Sequence, residues 1–296
     1  MWFGLQPEWG GAASGFGLPL CYLSVVIVET FEKAAAAVGP PRRVVAPEED
    51  PVQFALKELK FTPDEAQASV LRSKAKQGIL NCSRQWGKST VAAAKAVHRA
   101  YARAKCLVLV ASPTERQSAE FLRKASEFVQ RLGIAPRGDG DNAISLLLPN
   151  DSRIVGLPGT EGTVRGFSAV SLLLIDEAAR VEESMYRALR PMLAVGDGDL
   201  WLMSTPCGKR GFFYEEWEHG GPDWMRVRVP ATECPRISKK FLEKQRGPLG
   251  VWFPQEFLCE FVDNETGIFD RDVVERALDE QVRPLNVDTW ESAGEE

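Results

Sequence analysis

Histidine is scarce in this chain. Among 296 residues only His98 and His219 occur, so chemistry built on several histidines is excluded. His98 falls in an alanine-rich, helix-forming run and reads as structural. Paired cysteines are missing as well. Cys21, Cys82, Cys106, Cys207, Cys234 and Cys259 are scattered with no C-x-x-C among them. That usage fits reduced thiols in a cytosolic protein, and neither a disulfide framework nor a zinc site. Long apolar runs are also lacking: Leu18–Val28 falls short of the roughly 20 residues a membrane helix needs. No positive segment precedes it, as a secretory signal would require. Nor is there an excess of positive charge. A net charge of −5 argues against wrapping nucleic acid over the whole surface, while leaving room for a local basic groove. No internal repeat is visible.

What is present is an ordinary globular composition, 44% hydrophobic and 26% charged. The length suits one large α/β domain with additions and a substantial core. Residues 1–50 read as a poorly ordered extension and linker. The extension has a Gly-rich start and the alanine run Ala34–Ala37, and Gly39-Pro40-Pro41-Arg42-Arg43 precedes an acidic stretch from Pro47 to Pro51. Folding proper is expected from about Val52.

The rest of the chain is organised around Ile79–Thr90, I-L-N-C-S-R-Q-W-G-K-S-T. Gly78–Leu80 reads as a buried strand, and G-K-S-T opens the helix-forming run V-A-A-A-K-A-V-H-R-A-Y-A. Strand, tight loop and helix N-terminus form the context of a phosphate-binding loop. Backbone N–H groups and the positive helix end attract anionic phosphates. Lys88 would reach the terminal phosphates, and the Ser89 hydroxyl would coordinate Mg²⁺. Cys82 stands where G-x-x-x-x-G-K-[ST] has its first glycine. Candidate nucleotide contacts are Ser83, Arg84, Gln85, Trp86, Gly87, Lys88, Ser89 and Thr90.

Upstream, Val52–Leu59 has helical spacing. Thr62 reads as the N-cap of a second helix, with Pro63 at its first position and Glu65 closing a capping box. Gln67 lies one turn in. Its amide suits an adenine edge, which needs a donor and an acceptor together, and equally suits an ordinary exposed helical position. Downstream, Cys106–Ala111 is a continuous apolar strand. Ser112-Pro113-Thr114-Glu115 repeats the capping logic for a helix running to about Leu132 and stopped by Gly133. Ile144–Leu148 and Arg153–Leu157 read as a hairpin. Pro158–Phe167 is a glycine-rich loop carrying Arg165. Leu172–Ile175 and Leu200–Met203 are buried strands that end in Asp176-Glu177-Ala178 and Ser204-Thr205-Pro206. Strands alternating with helices predict an α/β fold with a mainly parallel sheet flanked by helices. Ligands then sit at the strands' carboxyl ends. Ser83–Ser89, Asp176-Glu177 and Ser204-Thr205 all fall there.

Asp176 is placed to hold Mg²⁺ through Ser89 or water. Glu177 is placed to orient and deprotonate the water that attacks the γ-phosphate. The alternative for both is capping of the next helix. Arg84, inside the loop, and Arg165 are candidates for stabilising charge on the transferring phosphoryl group; either is otherwise a surface arginine.

With these residues in hand, the chain from about Phe61 to Phe269 resembles the ATPase half of the tailed-phage large terminases. That family's phosphate loop often lacks the first glycine and is similar to R-Q-x-G-K-[ST] at Arg84–Ser89. Its acidic motif resembles Leu172–Ala178, and its coupling motif resembles Ser204-Thr205-Pro206 followed by Gly211–Trp217. T-x-R-G at Thr163–Gly166 and the lid-like Pro254–Phe261 add to the resemblance, although related helicases share several elements. The resemblance implies a P-loop NTPase core of ASCE type over residues 51–211 and a small C-terminal lid over 212–262. It implies ATP hydrolysis with Mg²⁺, coupling through Ser204 and Thr205, an adenine contact at Gln67, and Arg165 acting in trans on the next subunit's ATP. The implied partners are double-stranded DNA, the phage portal protein and the small terminase subunit, with a homo-oligomeric ring on the portal. The implied location is the host cytoplasm, with no membrane. The family's nuclease domain is not expected in residues 263–296. They form a short tail in which Asp263, Asp270 and Asp272 read as solvated, so no endonuclease activity is expected either. Two other readings stay open: a helicase-like P-loop ATPase acting on nucleic acid, and an inactive prophage remnant or nucleotide-binding interaction subunit.

Overall fold

The computed structural model describes residues 50–157 and 166–262. The N-terminal extension, Arg165 with Thr163 and Val164, and the tail carrying Asp263, Asp270 and Asp272 lie outside the described residues. Helix α1 (Pro51–Lys57) begins at Asp50, whose carboxylate accepts from the Val52 N–H at 3.0 Å. Helix α2 (Glu65–Arg72) starts later than Thr62-Pro63 suggests. Its N-cap is Asp64, which accepts from the Gln67 N–H at 2.9 Å, while the Gln67 side chain accepts from the Asp64 N–H at 3.1 Å. The reciprocal box therefore runs Asp64–Gln67 and excludes both Thr62 and Glu65 from capping. A carboxylate facing the helix N-terminus also gains from the helix dipole, which a threonine hydroxyl does not.

Strand β1 (Gln77–Cys82) leads into α3 (Lys88–Ala102), and β2 (Leu107–Ala111) leads into α4 (Glu115–Arg131). The same displacement recurs at α4. Thr114, not Ser112, is the N-cap, and its hydroxyl accepts from the Gln117 N–H. The hairpin β3 (Ser145–Leu147) and β4 (Arg153–Leu157) pairs antiparallel. Then come β5 (Leu172–Asp176), α5 (Glu183–Leu189), β6 (Asp199–Ser204), α6 (Gly211–Glu218), β7 (Trp224–Val229), α7 (Lys239–Leu249) and α8 (Phe253–Leu258). The sheet order is β3-β4-β2-β5-β6-β1-β7, parallel throughout except for β3. Among the described residues no helix is long and apolar enough to cross a membrane.

Strand alternation divides the core between the two faces. Leu80, Val108, Val110, Leu172, Leu174 and Trp201 pack with α1 to α4 on one side. Ile79, Leu109, Leu173, Ile175 and Leu202 pack with α5 and α6 on the other. A strand buried on both faces needs apolar side chains at every position, which is why L-L-L-I and L-W-L-M read continuously. Each fully buried leucine or isoleucine contributes about 1.5–3 kcal/mol. His98 sits in α3 with its ring edge-on to Phe54, 5.0 Å between centroids. Buried Lys95, also in α3, donates to the Val70 and Ser73 carbonyls at 3.0 and 3.3 Å and lies over the Trp201 ring. Burial lowers its pKa to about 8.

Gly78 on β1 faces Trp201 of β6 across their parallel pairing, and a Cβ at this position would lie 2.3 Å from the buried indole. Gly78→Ala is therefore expected to destabilise the fold by about 1–3 kcal/mol through overpacking. Urea unfolding would show this as a lower midpoint at an unchanged slope. An unshifted midpoint would mean that the ring yields freely.

The segment expected to form a separate lid divides in two. Past residue 211, β7 pairs parallel with β1 and belongs to the main sheet. The helices α7 and α8 gather a small cluster of their own around Leu242 and Phe253, with Ala231. That unit is tied back to the sheet by Asn81, which donates to the Cys259 carbonyl at 3.0 Å, and by Gln255, which accepts from the Gly208 N–H at 2.9 Å.

Candidate active site

At the carboxyl end of β1 the chain turns through residues 83–87 and enters α3. Gly87, the N-cap, has φ 99°, where a side chain would be strained, and a Cβ there would press on the Gln67 amide at 3.0 Å. This turn aims the first N–H groups of a helix with 15 residues at the pocket. Lys88 is buried, and its Nζ donates to the Cys82 carbonyl at 2.9 Å, the Ser83 carbonyl at 3.2 Å and Thr205 Oγ1 at 3.2 Å. The phosphate loop and the S-T-P segment after β6 thus meet on one ammonium. Ser204 instead turns its hydroxyl to the Thr205 carbonyl, 2.8 Å away. Cys82, in place of the loop's first glycine, is a core residue whose thiol is pushed far above its ordinary pKa by burial.

Ser89 donates to Asp176 Oδ2 at 2.8 Å, joining the helix start to the end of β5. Burial pushes the Asp176 carboxyl upward; the Ser89 hydrogen bond opposes that shift, adjacent Glu177 adds to it, and Lys88 opposes it. A hydroxyl and a carboxylate held together are hard oxygen donors that fit Mg²⁺. Glu177 follows in the left-handed region, φ 51° and ψ 41°, with its N–H on Asp176 Oδ1 at 3.0 Å. A non-glycine residue in this conformation is uncommon, and such residues concentrate at functional sites. The Glu177 carboxylate accepts from Arg180 Nη1 at 3.1 Å.

Of these groups Lys88, Ser89 and Glu177 open onto a pocket of about 500 Å³. Arg84, Gln85, Trp86, Gly87, Lys88, Ser89, Thr90 and Glu177 line it, together with Gln67. Phe61, Lys124 and Arg236 complete the lining.

A sequence model of the terminase large subunit N-terminal family, T4likevirus-type, matches residues 79–276. The chain belongs to this terminase family. The large terminase subunit of Thermus phage G20c is 26% identical over 248 residues, covering 71% of this chain and 51% of that protein. The chain therefore spans about half the length of the curated terminases it matches. The fold agrees with the large terminase ATPase domain of Thermus phage P74-26, at TM-score 0.65 and 24% identity over 73% of this chain and all of that one. The ADP complex of a large terminase from a thermophilic bacteriophage gives TM-score 0.57 at 17% identity, over 68% of this chain and 54% of that one. Both likenesses support the P-loop α/β architecture.

Within this terminase fold the residues singled out from sequence separate clearly. Lys88, Ser89, Asp176, Glu177 and Thr205 converge. Trp86 contributes its carbonyl, but its side chain is sunk in the core. Ser83 Oγ is buried with no hydrogen-bond partner, so its carbonyl is the group in use. Gln67 is buried, correcting the exposed alternative. Its Nε2 donates to the Trp86 carbonyl at 3.0 Å while its Oε1 is held in the α2 capping box. These bonds use one of the two amide hydrogens and one of the two carbonyl lone pairs, leaving one donor and one acceptor on the amide. Arg84 lies at the pocket with its Nε on Glu256 of α8. Arg236, which sequence reasoning missed, contacts both the Trp86 carbonyl and Asp64 Oδ2, the latter at 3.1 Å. Lys124, Arg180 and Glu256 were also missed. Glu256 lies inside the lid-like Pro254–Phe261 segment, the one signal that could have drawn attention to it.

Proposed function

We propose that this chain is the ATPase motor portion of a phage large terminase, hydrolysing ATP to drive double-stranded DNA into a procapsid. The observation that carries the reading is the convergence of Lys88, Ser89–Asp176, Glu177 and Thr205 at adjoining strand ends. Lys88 and the N–H groups at the start of α3 bind the β- and γ-phosphates. Ser89 and Asp176 would hold Mg²⁺, which when bound neutralises charge on the phosphate oxygens. Glu177 takes the proton of the attacking water. Thr205, on Lys88, reports the state of the phosphate site to β6 and, through Gly208 and Gln255, to α8.

The base end falls to Phe61, Gln67, Lys124 and Arg236. Arg84 is the loop's own candidate for charge stabilisation once it leaves Glu256, and Arg165 is the candidate supplied in trans within a ring. Assembly on a portal with the small subunit, in the host cytoplasm, follows from this reading.

The test is phosphate release by the purified chain with Mg²⁺, with and without linear double-stranded DNA. Hydrolysis stimulated by duplex DNA is expected. Stimulation by single strands with duplex unwinding would favour the helicase-like reading. Nucleotide binding without hydrolysis in any condition would favour an inactive remnant.

A further inference from the structure

One charged side chain beside the site belongs to none of its motifs. Arg180 closes the short turn Ala178–Arg180, its N–H donating to the Glu177 carbonyl at 2.8 Å. That turn brings the guanidinium back over the Glu177 carboxylate, with Nη1 3.1 Å from Oε2. Its other arm faces Glu256 Oε1 on α8 at 3.8 Å. The Glu177 and Arg180 side chains are 30% and 29% exposed; Glu177 lines the pocket and Arg180 stands behind it, half-buried rather than free in solvent.

We propose that Arg180 is a positioning residue for ATP hydrolysis: it fixes the Glu177 carboxylate by one oxygen and leaves the other to meet the attacking water. The inference rests on the ATPase reading of the site and names a further residue that the reaction needs. Three causes act together. The left-handed backbone at Glu177 sets the direction in which its side chain leaves the chain. A glutamate side chain without a partner populates several staggered rotamers, of which few reach the water. Arg180 has a second anion, Glu256 Oε1 at 3.8 Å from its other arm, whose charge draws the guanidinium to the same place. Misplacing a catalytic group by about 1 Å can cost about 10²-fold in rate.

The experiment compares steady-state ATPase kinetics, binding of a fluorescent ATP analogue and melting temperature for wild type, Arg180→Ala and Arg180→Lys. Arg180→Ala is expected to lower kcat by about 10- to 100-fold, with KM and analogue affinity within about twofold of wild type. Arg180→Lys, which keeps the charge at shorter reach, is expected to recover part of the loss. Unchanged kcat, or a faster enzyme, overturns the proposal. So does a loss of rate matched by equal losses of affinity and melting temperature that lysine does not lessen, which would mark a residue of the fold alone. A wild type that binds nucleotide without turning it over refutes the ATPase reading and this one with it. An active wild type indifferent to Arg180→Ala refutes this one alone.

Discussion

Lys88→Ala protein is expected to lose ATP hydrolysis by about 10³-fold or more, the scale reached when a cation acting on the transferring phosphoryl group is removed. The lysine is the buried cation at the helix start, whereas Arg84, the loop's other cation, is largely exposed and paired with Glu256. Its removal also has a structural side. The Cys82 and Ser83 carbonyls and Thr205 Oγ1 each lose a donor in a buried setting. The two carbonyls keep long bonds, from Thr205 Oγ1 at 3.4 Å and the Trp86 N–H at 3.5 Å; a buried group left fully unsatisfied costs about 1–3 kcal/mol. Lys88→Met, which fills the volume without the charge, separates the two effects. Both variants are expected to lose turnover, whereas only the loss of folded protein would follow a melting curve. Phosphate release above about a tenth of the wild-type rate in a folded variant would place the γ-phosphate away from this loop.

How legible was this site beforehand? Its polar rim was legible because each piece is local. A phosphate loop is a strand, a turn and a helix start within a dozen or so residues, and Asp176 and Ser204 each terminate a continuous apolar run. The sheet was legible for the same reason, except at β7. There W-M-R-V-R-V alternates apolar residues with Arg226 and Arg228, as an edge strand partly open to solvent does, so it does not resemble its neighbours. The helix starts misled because a serine or threonine before proline satisfies the pattern locally. Asp64 and Thr114, two residues on, compete with it and make the observed bonds.

What sequence could not show is contact across distance. Phe61, Lys124 and Arg236 line one pocket from three separate segments, with no spacing to link them. The bonds that bury Gln67 and engage Arg84 arise from Trp86 and Glu256, which only the packed fold brings near. Charge on an isolated residue carries no record of its partner.

Glu177→Gln is expected to bind ATP as tightly as wild type, within about threefold, and to turn it over about 10²–10⁴-fold more slowly, the range for loss of a positioned general base. The amide keeps the shape of the carboxylate and the left-handed backbone that carries it. The Glu177 N–H bond to Asp176 Oδ1 does not depend on the side chain and remains. What changes is the proton: an amide oxygen still orients water but does not take its proton at neutral pH. Arg180 loses its nearer anion and keeps Glu256 at 3.8 Å, so the fold is expected to hold. Two measurements on the same preparation decide the matter, titration of a fluorescent ATP analogue and single-turnover phosphate release. Tight binding with a stalled chemical step assigns the proton transfer to Glu177. Release at the wild-type rate removes that role, and the acid–base group must then be sought on another strand end or on a neighbouring subunit.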